Sequence, residues 1–466
     1  MKPLLELEGP LAATLRQRLA RLAEGAPSGA LLSVTLELGP GGSGTDADWL
    51  SAQPQAPETC YWARPEKGEY RLGIGRAVIC TSAGPARFTA LQAAHAGIAQ
   101  SWRHDGGNEA GNDSDDFEPL ACLGFAFDEE STGVLPNAQL GVAAVLLHTA
   151  RGRRRATFTT PARDLAGAVE RWQSLLAARP ATMPSQPLGT LPDTALAARA
   201  WQARVGAALT AIAAGDFDKV VLSRNLRLAL PHALSLLSPL ALLRRLAQQH
   251  PEATLFCNSN AHGAFVGASP EQLVGLVDGA VRADALAGTA WAGQPLLIDK
   301  NTHEQQLVVE AIRCALAPLC DALHLPPTPR VLTLRDLQHL WTPVSGRVRP
   351  GVGLFDLIAR LHPTPAVGGW PGNAARDWLR RSGEKRPGWY GGGIGWIDRK
   401  GNGEVAVALR CGLMTPGSIE LSAGAGIVAG SQPAHEFGET EAKLGTMLGA
   451  LRGAPDADEH APRTGT

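Results

Sequence analysis

The sequence predicts an α+β fold, because segments with strand patterns and segments with helix patterns are mixed without regular β–α–β alternation. The first 180 residues contain short apolar runs bounded by glycine or proline, which is typical of strands. The later part combines helical periodicity with long, glycine-containing strands. The chain has 466 residues, of which 44% are hydrophobic and 19% charged. This composition indicates a globular protein.

Residues 1–180 are predicted to form a β-rich part that packs against the rest of the chain. An amphipathic helix is expected within residues 1–25. Strands are expected in the runs LLSVTLELG, YRLGIGRAVIC, LACLGFAFD and GVAAVLLHTA. The polar segment His104–Glu118 is predicted to be an exposed loop, and residues 179–198 to connect the two parts.

Residues 195–455 are predicted to form the second part of the chain, which is richer in polar motifs. An alanine-rich helix leads into the strand KVVLSRNLRLAL, and a second helix follows Asn301–Thr302. The strands GWYGGGIGWID and GEVAVALRCGLM are joined by a turn at Arg399–Gly403. A further strand, IELSAGAGIVAG, precedes a final helix over residues 433–451.

Charge and cysteine content exclude several classes of protein. The formal net charge is -1, so nothing favours nucleic acid or an anionic membrane as a partner. No membrane span or secretory signal is expected. The seven cysteines form no CxxC pair, which predicts reduced thiols in a cytoplasmic protein. No coiled-coil pattern occurs, so we expect a monomer.

The final helix carries a candidate metal site. Glu436, Glu439 and Lys443 are spaced by three and four residues, which places them on one helix face. Two carboxylates one turn apart are suitable ligands for a hard cation such as Mg²⁺. The alternative is an ordinary solvated face with Glu–Lys pairs.

Other polar residues are ambiguous on their own. Lys219 enters an apolar strand, where burial would lower its pKa and make it a base, unless its side chain reaches the surface. Glu271, after a Ser-Pro turn, could begin a helix, and Glu304 could favour a helix start through the dipole. His339 and Arg410 are candidates for buried polar residues or anion ligands.

Ten short motifs occur along the chain in the same order as in the chorismate-utilising enzyme family, which the chain therefore resembles. The series runs KVVLSR, GASPEQL, LAGT, KNTHEQQLVVEAI, HLWTPVSG, LHPTPAVGG, GWYGGGIGW, VALRC, SAGAGIV and HEFGETEAK, and it spans residues 195–451. The resemblance implies a large single globule of the anthranilate synthase component I type, with two packed β-sheets and surrounding helices. It also implies that residues 195–455 are the chorismate-binding catalytic domain.

The resemblance also implies residue roles. Lys219 matches the base that activates water for attack at C2 of chorismate, and Glu271 matches the acid that protonates the departing C4 hydroxyl. Burial would favour the neutral lysine and the protonated glutamate that this requires. The remaining matches are Mg²⁺ ligands (Glu304, Glu436 and Glu439) and substrate-binding residues (Gly288, Thr289, His339, Tyr390, Arg410, Gly424 and Lys443).

Three positions distinguish activities within the family. Where anthranilate synthases have glutamine this chain has Lys219, and where aminodeoxychorismate synthases have lysine it has Ala287. Salicylate synthases usually carry threonine where Val367 stands. The resemblance therefore implies an isomerase that makes isochorismate, for menaquinone or siderophore biosynthesis. A salicylate synthase and a non-catalytic chorismate-binding relative are the alternatives.

Overall fold

The computed structural model describes residues 4–452, apart from 39–48, 51, 55, 107–116, 181–193, 231–237, 292, 297–298 and 335–336. Most of the predicted acidic loop and of the predicted connector lies outside the described residues. Two large sheets and their covering helices form the described part of the chain.

Among the residues that the structure describes, the first sheet has twelve strands. All are antiparallel to their neighbours except β1 and β6, which run parallel. In spatial order its strands are β20 (Gly369–Trp370), β12 (Lys219–Ala229), β24 (Ser418–Val428), β23 (Cys411–Thr415), β14 (Gly263–Ser269), β13 (Thr254–Asn260), β3 (Thr59–Arg64), β4 (Glu69–Ile74), β9 (Val145–Ala150), β10 (Arg153–Pro161), β1 (Leu31–Leu38) and β6 (Arg103–Asp105).

Within the described ranges, the second sheet has ten strands. In spatial order these are β17 (Cys320–His324), β19 (Leu337–Val348), β16 (Ala280–Trp291), β15 (Gln272–Val277), β22 (Gly403–Val407), β21 (Gly393–Asp398), β7 (Leu120–Phe125), β8 (Ala138–Val142) and β5 (Val78–Ser82), with β18 (Arg330–Thr333) also paired to β19. A separate two-stranded ribbon joins β2 (Ala52–Pro54) to β11 (Ala178–Pro180).

The helices cover the sheets. They are α1 (Gly9–Ala23), α2 (Arg87–Ser101), α3 (Ala168–Leu176), α4 (Thr194–Ala213), α5 (Pro239–Gln249), α6 (Asp299–Leu316), α7 (Leu354–Leu361), α8 (Gly372–Arg381) and α9 (Pro433–Arg452). Leu222 and Ile427 of the first sheet share a buried apolar cluster with Val274 and Ala285 of the second, so the sheets pack together. The predicted α+β class is confirmed. None of the helices described is long and apolar enough to cross a bilayer.

Strands from the early and late parts of the chain pair directly with one another. In the first sheet β3 pairs with β13, and in the second β7 pairs with β21. Removing either part would therefore leave an unpaired strand edge in each sheet.

The prediction of reduced thiols is wrong for one pair of cysteines. Cys60 of β3 and Cys122 of β7 form a disulfide that links the two sheets. The pair lies 62 residues apart in the sequence, so no local spacing signal indicated it. The other five cysteines are free.

Candidate active site

A cavity opens where β12 and β24 of the first sheet face the start of β15, β16 and β19 of the second. Helices α6 and α9 contribute Glu304, Glu439 and Lys443 to its wall. Every predicted site residue except Gly288 and Glu436 lines this cavity, namely Lys219, Glu271, Thr289, Glu304, His339, Tyr390, Arg410, Gly424, Glu439 and Lys443. Ala287 and Val367 also line it.

Lys219 is the first residue of β12, and its side chain points into the protein. Only 1% of the residue is exposed, which excludes the alternative that its ammonium group reaches solvent. Its Nζ lies 2.9 Å from Oε1 of Glu304, which projects from α6. Gly426 of β24 leaves room for this pair, because a Cβ there would come within 2.4 Å of Glu304 Oε1. The predicted base therefore contacts a predicted metal ligand.

Glu271 lies in the link between β14 and β15, so the alternative that it begins a helix is wrong. Its backbone is held by Ser269 and Val407, whose amide donates to Glu271 O at 3.0 Å. The carboxyl group is buried, and Oε1 has no hydrogen-bond partner among the described residues. Burial, reinforced by the nearby charge of Asp284, raises the pKa of Glu271 to about 8. The group is therefore mostly protonated at neutral pH.

Asp284 was not recognised from the sequence, although it faces the same region from β16. Its Oδ2 accepts a hydrogen bond from the Gln272 amide at 3.1 Å, and its Oδ1 accepts one from Trp341 Nε1 at 2.8 Å. Burial raises its pKa above the usual range. Its buried negative charge disfavours a second charge on Glu271.

Thr289 and His339 face each other across β16 and β19. His339 Nδ1 lies 3.1 Å from Thr289 Oγ1, whereas Nε2 is buried without a hydrogen-bond partner in the described part of the chain. Burial, followed by the charges of Arg410 and Lys443, lowers the pKa of His339 to about 3, so the imidazole is neutral. Its Nε2 is available to a bound molecule.

Gly288 has a backbone role rather than a place in the cavity wall. It interrupts the register between β16 and β19 as a bulge residue with φ of 65°, a conformation that favours glycine. A Cβ at this position would also lie 2.8 Å from the carbonyl oxygen of Asn301. Gly288 thus sets how closely α6 approaches β16.

Arg410 and Lys443 supply positive charge to the cavity in different ways. Lys443 Nζ donates to Gly424 O at 2.8 Å and is paired with Glu439, so its ammonium is already engaged. The Arg410 guanidinium has no hydrogen bond or ion pair with any residue that the structure describes. Burial lowers its pKa, but an arginine side chain keeps its charge in proteins. Arg410 is therefore the cation most available to an anionic ligand.

Arg386 also lines the cavity and was missed by the sequence analysis. It donates to Val367 O at 2.7 Å and to Val221 O at 2.8 Å, and it pairs with the buried Glu384. Its guanidinium thus joins two walls of the cavity. The sequence did not indicate this role, since the two carbonyl groups that position Arg386 lie 19 and 165 residues away in the chain.

The three predicted metal ligands lie near one another on α6 and α9, and each contacts a lysine. Glu304 contacts Lys219, Glu436 Oε1 lies 2.5 Å from Lys300 Nζ, and Glu439 is paired with Lys443. Within the described ranges, no three acidic, histidine or cysteine side chains converge as a ready metal site.

The chemistry of the carboxylates nevertheless fits a hard divalent cation. Glu436 Oε2 is buried without a hydrogen-bond partner among the described residues. Burial and repulsion from Glu439 raise the pKa of Glu436 to about 7. Burial alone would also raise the pKa of Glu439, but the Lys443 ammonium holds it below its usual range. An added cation would relieve the repulsion within this pair.

Comparisons with known proteins agree with one another. The family pattern described as chorismate binding enzyme matches residues 20–452. The salicylate biosynthesis isochorismate synthase of Pseudomonas aeruginosa is 39% identical over 365 residues, covering 73% of this chain and 76% of that protein. The solved structure of MenF, the menaquinone-specific isochorismate synthase from Escherichia coli, superposes with a TM-score of 0.76 at 24% identity, covering 95% of this chain and all of that one.

A further solved structure supports the predicted fold type. Anthranilate synthase component I from Streptococcus pneumoniae superposes with a TM-score of 0.67 at 19% identity, covering 82% of this chain and 92% of that one. The described strands and helices therefore have the anthranilate synthase component I fold.

Proposed function

Because the chain belongs to the chorismate binding enzyme family, we propose that it converts chorismate to isochorismate. The observation that carries this proposal is that two buried ionisable side chains, Lys219 and Glu271, line the same cavity. The raised pKa of Glu271 keeps this carboxyl group mostly protonated at neutral pH. Isochorismate synthases among its relatives, including the one from Pseudomonas aeruginosa, add support.

The proposed reaction adds water at C2 and removes the C4 hydroxyl of chorismate. Lys219 accepts a proton from the attacking water, while Glu271 gives its proton to the departing hydroxyl, which leaves as water. The double bonds of the ring shift, and no atoms are gained or lost overall. The cation-rich wall suits a substrate with two carboxylates, and Arg410 is free to bind one of them.

We propose Mg²⁺ as the cofactor, held by Glu304, Glu436 and Glu439. When bound, the metal would neutralise a substrate carboxylate and withdraw electron density from the ring. The repulsion between Glu436 and Glu439, together with the unpartnered Glu436 Oε2, supports this assignment. Activity is expected to disappear in excess chelator and to return when Mg²⁺ is added. Full turnover in chelator would contradict the assignment.

A salicylate synthase remains the second candidate, because Lys219 would serve in both enzymes. The apolar side chain of Val367 lines the cavity and offers no group to take part in pyruvate elimination. Ala287, also in the wall, cannot form the covalent intermediate of the aminodeoxychorismate synthases. These residues favour isochorismate as the final product, for a menaquinone or a siderophore pathway.

The test is product analysis with the purified protein, chorismate and Mg²⁺ in ¹⁸O-labelled water without ammonia. We expect isochorismate with one ¹⁸O at C2 and no pyruvate in a coupled lactate dehydrogenase assay. Pyruvate equal to the chorismate consumed would identify a salicylate synthase. Unlabelled isochorismate would contradict water attack, and no product at all would identify a non-catalytic relative. Lys219→Ala provides the matched control.

A further inference from the structure

Lys300 occupies a position among all three predicted metal ligands, although it lies outside the cavity wall. It stands in the first turn of α6, four residues before Glu304. Its Nζ donates to Glu436 Oε1 at 2.5 Å and interacts electrostatically with Glu304 and Glu439 as well. One ammonium group therefore interacts with the charges of all three glutamates.

Lys300 differs from the two other lysines near these glutamates. Lys219 and Lys443 both line the cavity, and Lys443 is also anchored on a backbone carbonyl. Among the described residues, Glu436 is the only hydrogen-bond acceptor of Lys300, whose side chain is 22% exposed. A lysine with an exposed portion can swing its ammonium group into water while its stem stays packed.

We propose that Lys300 is an internal counterion, which balances the charge of Glu436 in the metal-free protein and competes with Mg²⁺ for this carboxylate. This inference rests on the metal site of the proposed function. It assigns to Lys300 a role in setting the affinity for the metal, not a role in the chemical step.

The physical reason is competition for one carboxylate. Buried carboxylates without a countercharge are strongly unfavourable, so the metal-free protein needs a cation at this place. Mg²⁺ requires direct contact with ligand oxygens at about 2.0–2.1 Å. An ammonium group hydrogen-bonded to Glu436 Oε1 leaves only Oε2 open to such contact, and its positive charge opposes a second cation beside it. Mg²⁺ binding therefore works against this ion pair, and removing Lys300 should strengthen metal binding.

Calorimetric titration of Mg²⁺ into the substrate-free protein tests the inference. We expect Lys300→Met and Lys300→Gln to bind Mg²⁺ more tightly than the original protein by about 10- to 100-fold, the scale on which residues beside metal ligands change affinity. Lys385→Met is the matched control, because it removes the same charge from an exposed residue outside the cavity. Its Mg²⁺ affinity should stay unchanged.

Thermal unfolding gives a second measurement that does not depend on activity. Without Mg²⁺, Lys300→Met should unfold at a lower temperature than the original protein, because Glu436 loses its countercharge. Saturating Mg²⁺ should raise the unfolding temperature of the variant by more than that of the original protein, since a ligand that binds the folded state stabilises it according to its affinity.

Salt separates direct displacement from a general charge effect. The gain in affinity should persist in 0.5 M NaCl. The screening length is about 10 Å at 0.1 M salt and shorter at higher salt, so interactions between exposed charges are largely screened under this condition. A gain that vanishes in salt, or equal Mg²⁺ affinity of variant and original, would overturn the inference alone. Absence of Mg²⁺ binding to either protein would overturn both the inference and the metal assignment.

Discussion

Glu271 should determine the upper limit of the active pH range. Its pKa is raised to about 8, so the proton that it donates is present below this pH and is lost above it. We therefore expect kcat/KM to fall as pH rises through about 8. Glu271→Gln should reduce kcat on the order of 10²–10⁴-fold, the usual contribution of a general acid. Steady-state kinetics over a pH series would measure both effects. Circular dichroism spectra would show that each protein stays folded at each pH.

Substitution of Asp284 provides a sharper test of whether the pKa of Glu271 sets the alkaline limit of activity. Its negative charge contributes to the raised pKa of Glu271, and removing that charge makes ionisation of Glu271 easier. Asp284→Asn should therefore move the alkaline limb of the pH profile to lower pH while activity at the optimum is partly retained. An unmoved limb would show that another group controls it. Asp278→Asn, in the exposed turn after β15, serves as the charge-matched control.

Arg410 should act in binding rather than in proton transfer. It is the cavity cation without a partner among the described residues, so a substrate carboxylate is its natural ligand. Arg410→Ala is expected to raise KM at least about tenfold, since hydrogen bonds to charged groups are worth roughly 1.5–3 kcal/mol. The effect on kcat should be smaller. Initial rates across a wide range of substrate concentration separate the two constants, and a loss confined to kcat would contradict the binding role.

At the residue scale, the sequence predicted groups that sit inside recognisable motifs. Lys219, Glu271 and Arg410 were found in this way, and their cavity positions agree with the prediction. Lys300 and Arg386 were missed because their significance depends on contacts with distant segments. Lys300 and Glu436 are 136 residues apart in the chain, and the periodicity of a sequence reveals only neighbours within one helix or strand.

At the scale of elements, β24 shapes the site through a residue that has no side chain. A Cβ on Gly426 would come within 2.4 Å of Glu304 Oε1 and 3.0 Å of Lys219 Cε. Both atoms belong to flexible side chains, so the fold can adapt while the pair is displaced.

Gly426→Ala should therefore lose most activity while keeping a native circular dichroism spectrum. Gly445→Ala in α9 is the control, because a Cβ there meets nothing within 4 Å. Alanine also favours helix over glycine by about 1 kcal/mol, so this variant should be as stable as the original or more stable. Equal activity of the two variants would show that the position of the Lys219–Glu304 pair does not matter.

Helices were easier to predict than strands. The final helix was expected over residues 433–451, and the structure has α9 over Pro433–Arg452. In contrast, YRLGIGRAVIC and GVAAVLLHTA were each predicted as one strand, and each contributes to two. β4 and β9 belong to the first sheet whereas β5 and β8 belong to the second. An apolar run shows burial, but it does not show where the chain crosses between layers.

For the whole molecule, we expect one cooperative unfolding transition. Early and late strands pair in both sheets, so neither part can lose its structure without exposing strand edges of the other. Thermal unfolding followed by both far-UV circular dichroism and tryptophan fluorescence should give coincident curves. Residues 195–455 expressed alone should not yield a folded monomer. A soluble, active fragment would show that the late part is an independent domain.

The pairing of β3 with β13 also affects how the protein is made. The backbone N–H of Thr59 in β3 donates a hydrogen bond to the side-chain Oγ of Ser259 in β13, 200 residues further along the chain. During synthesis, β3 and β7 therefore leave the ribosome well before their partners exist, and they present open edges to other chains. Translation speed and chaperone supply, rather than equilibrium stability, should then limit the yield of this protein in cells.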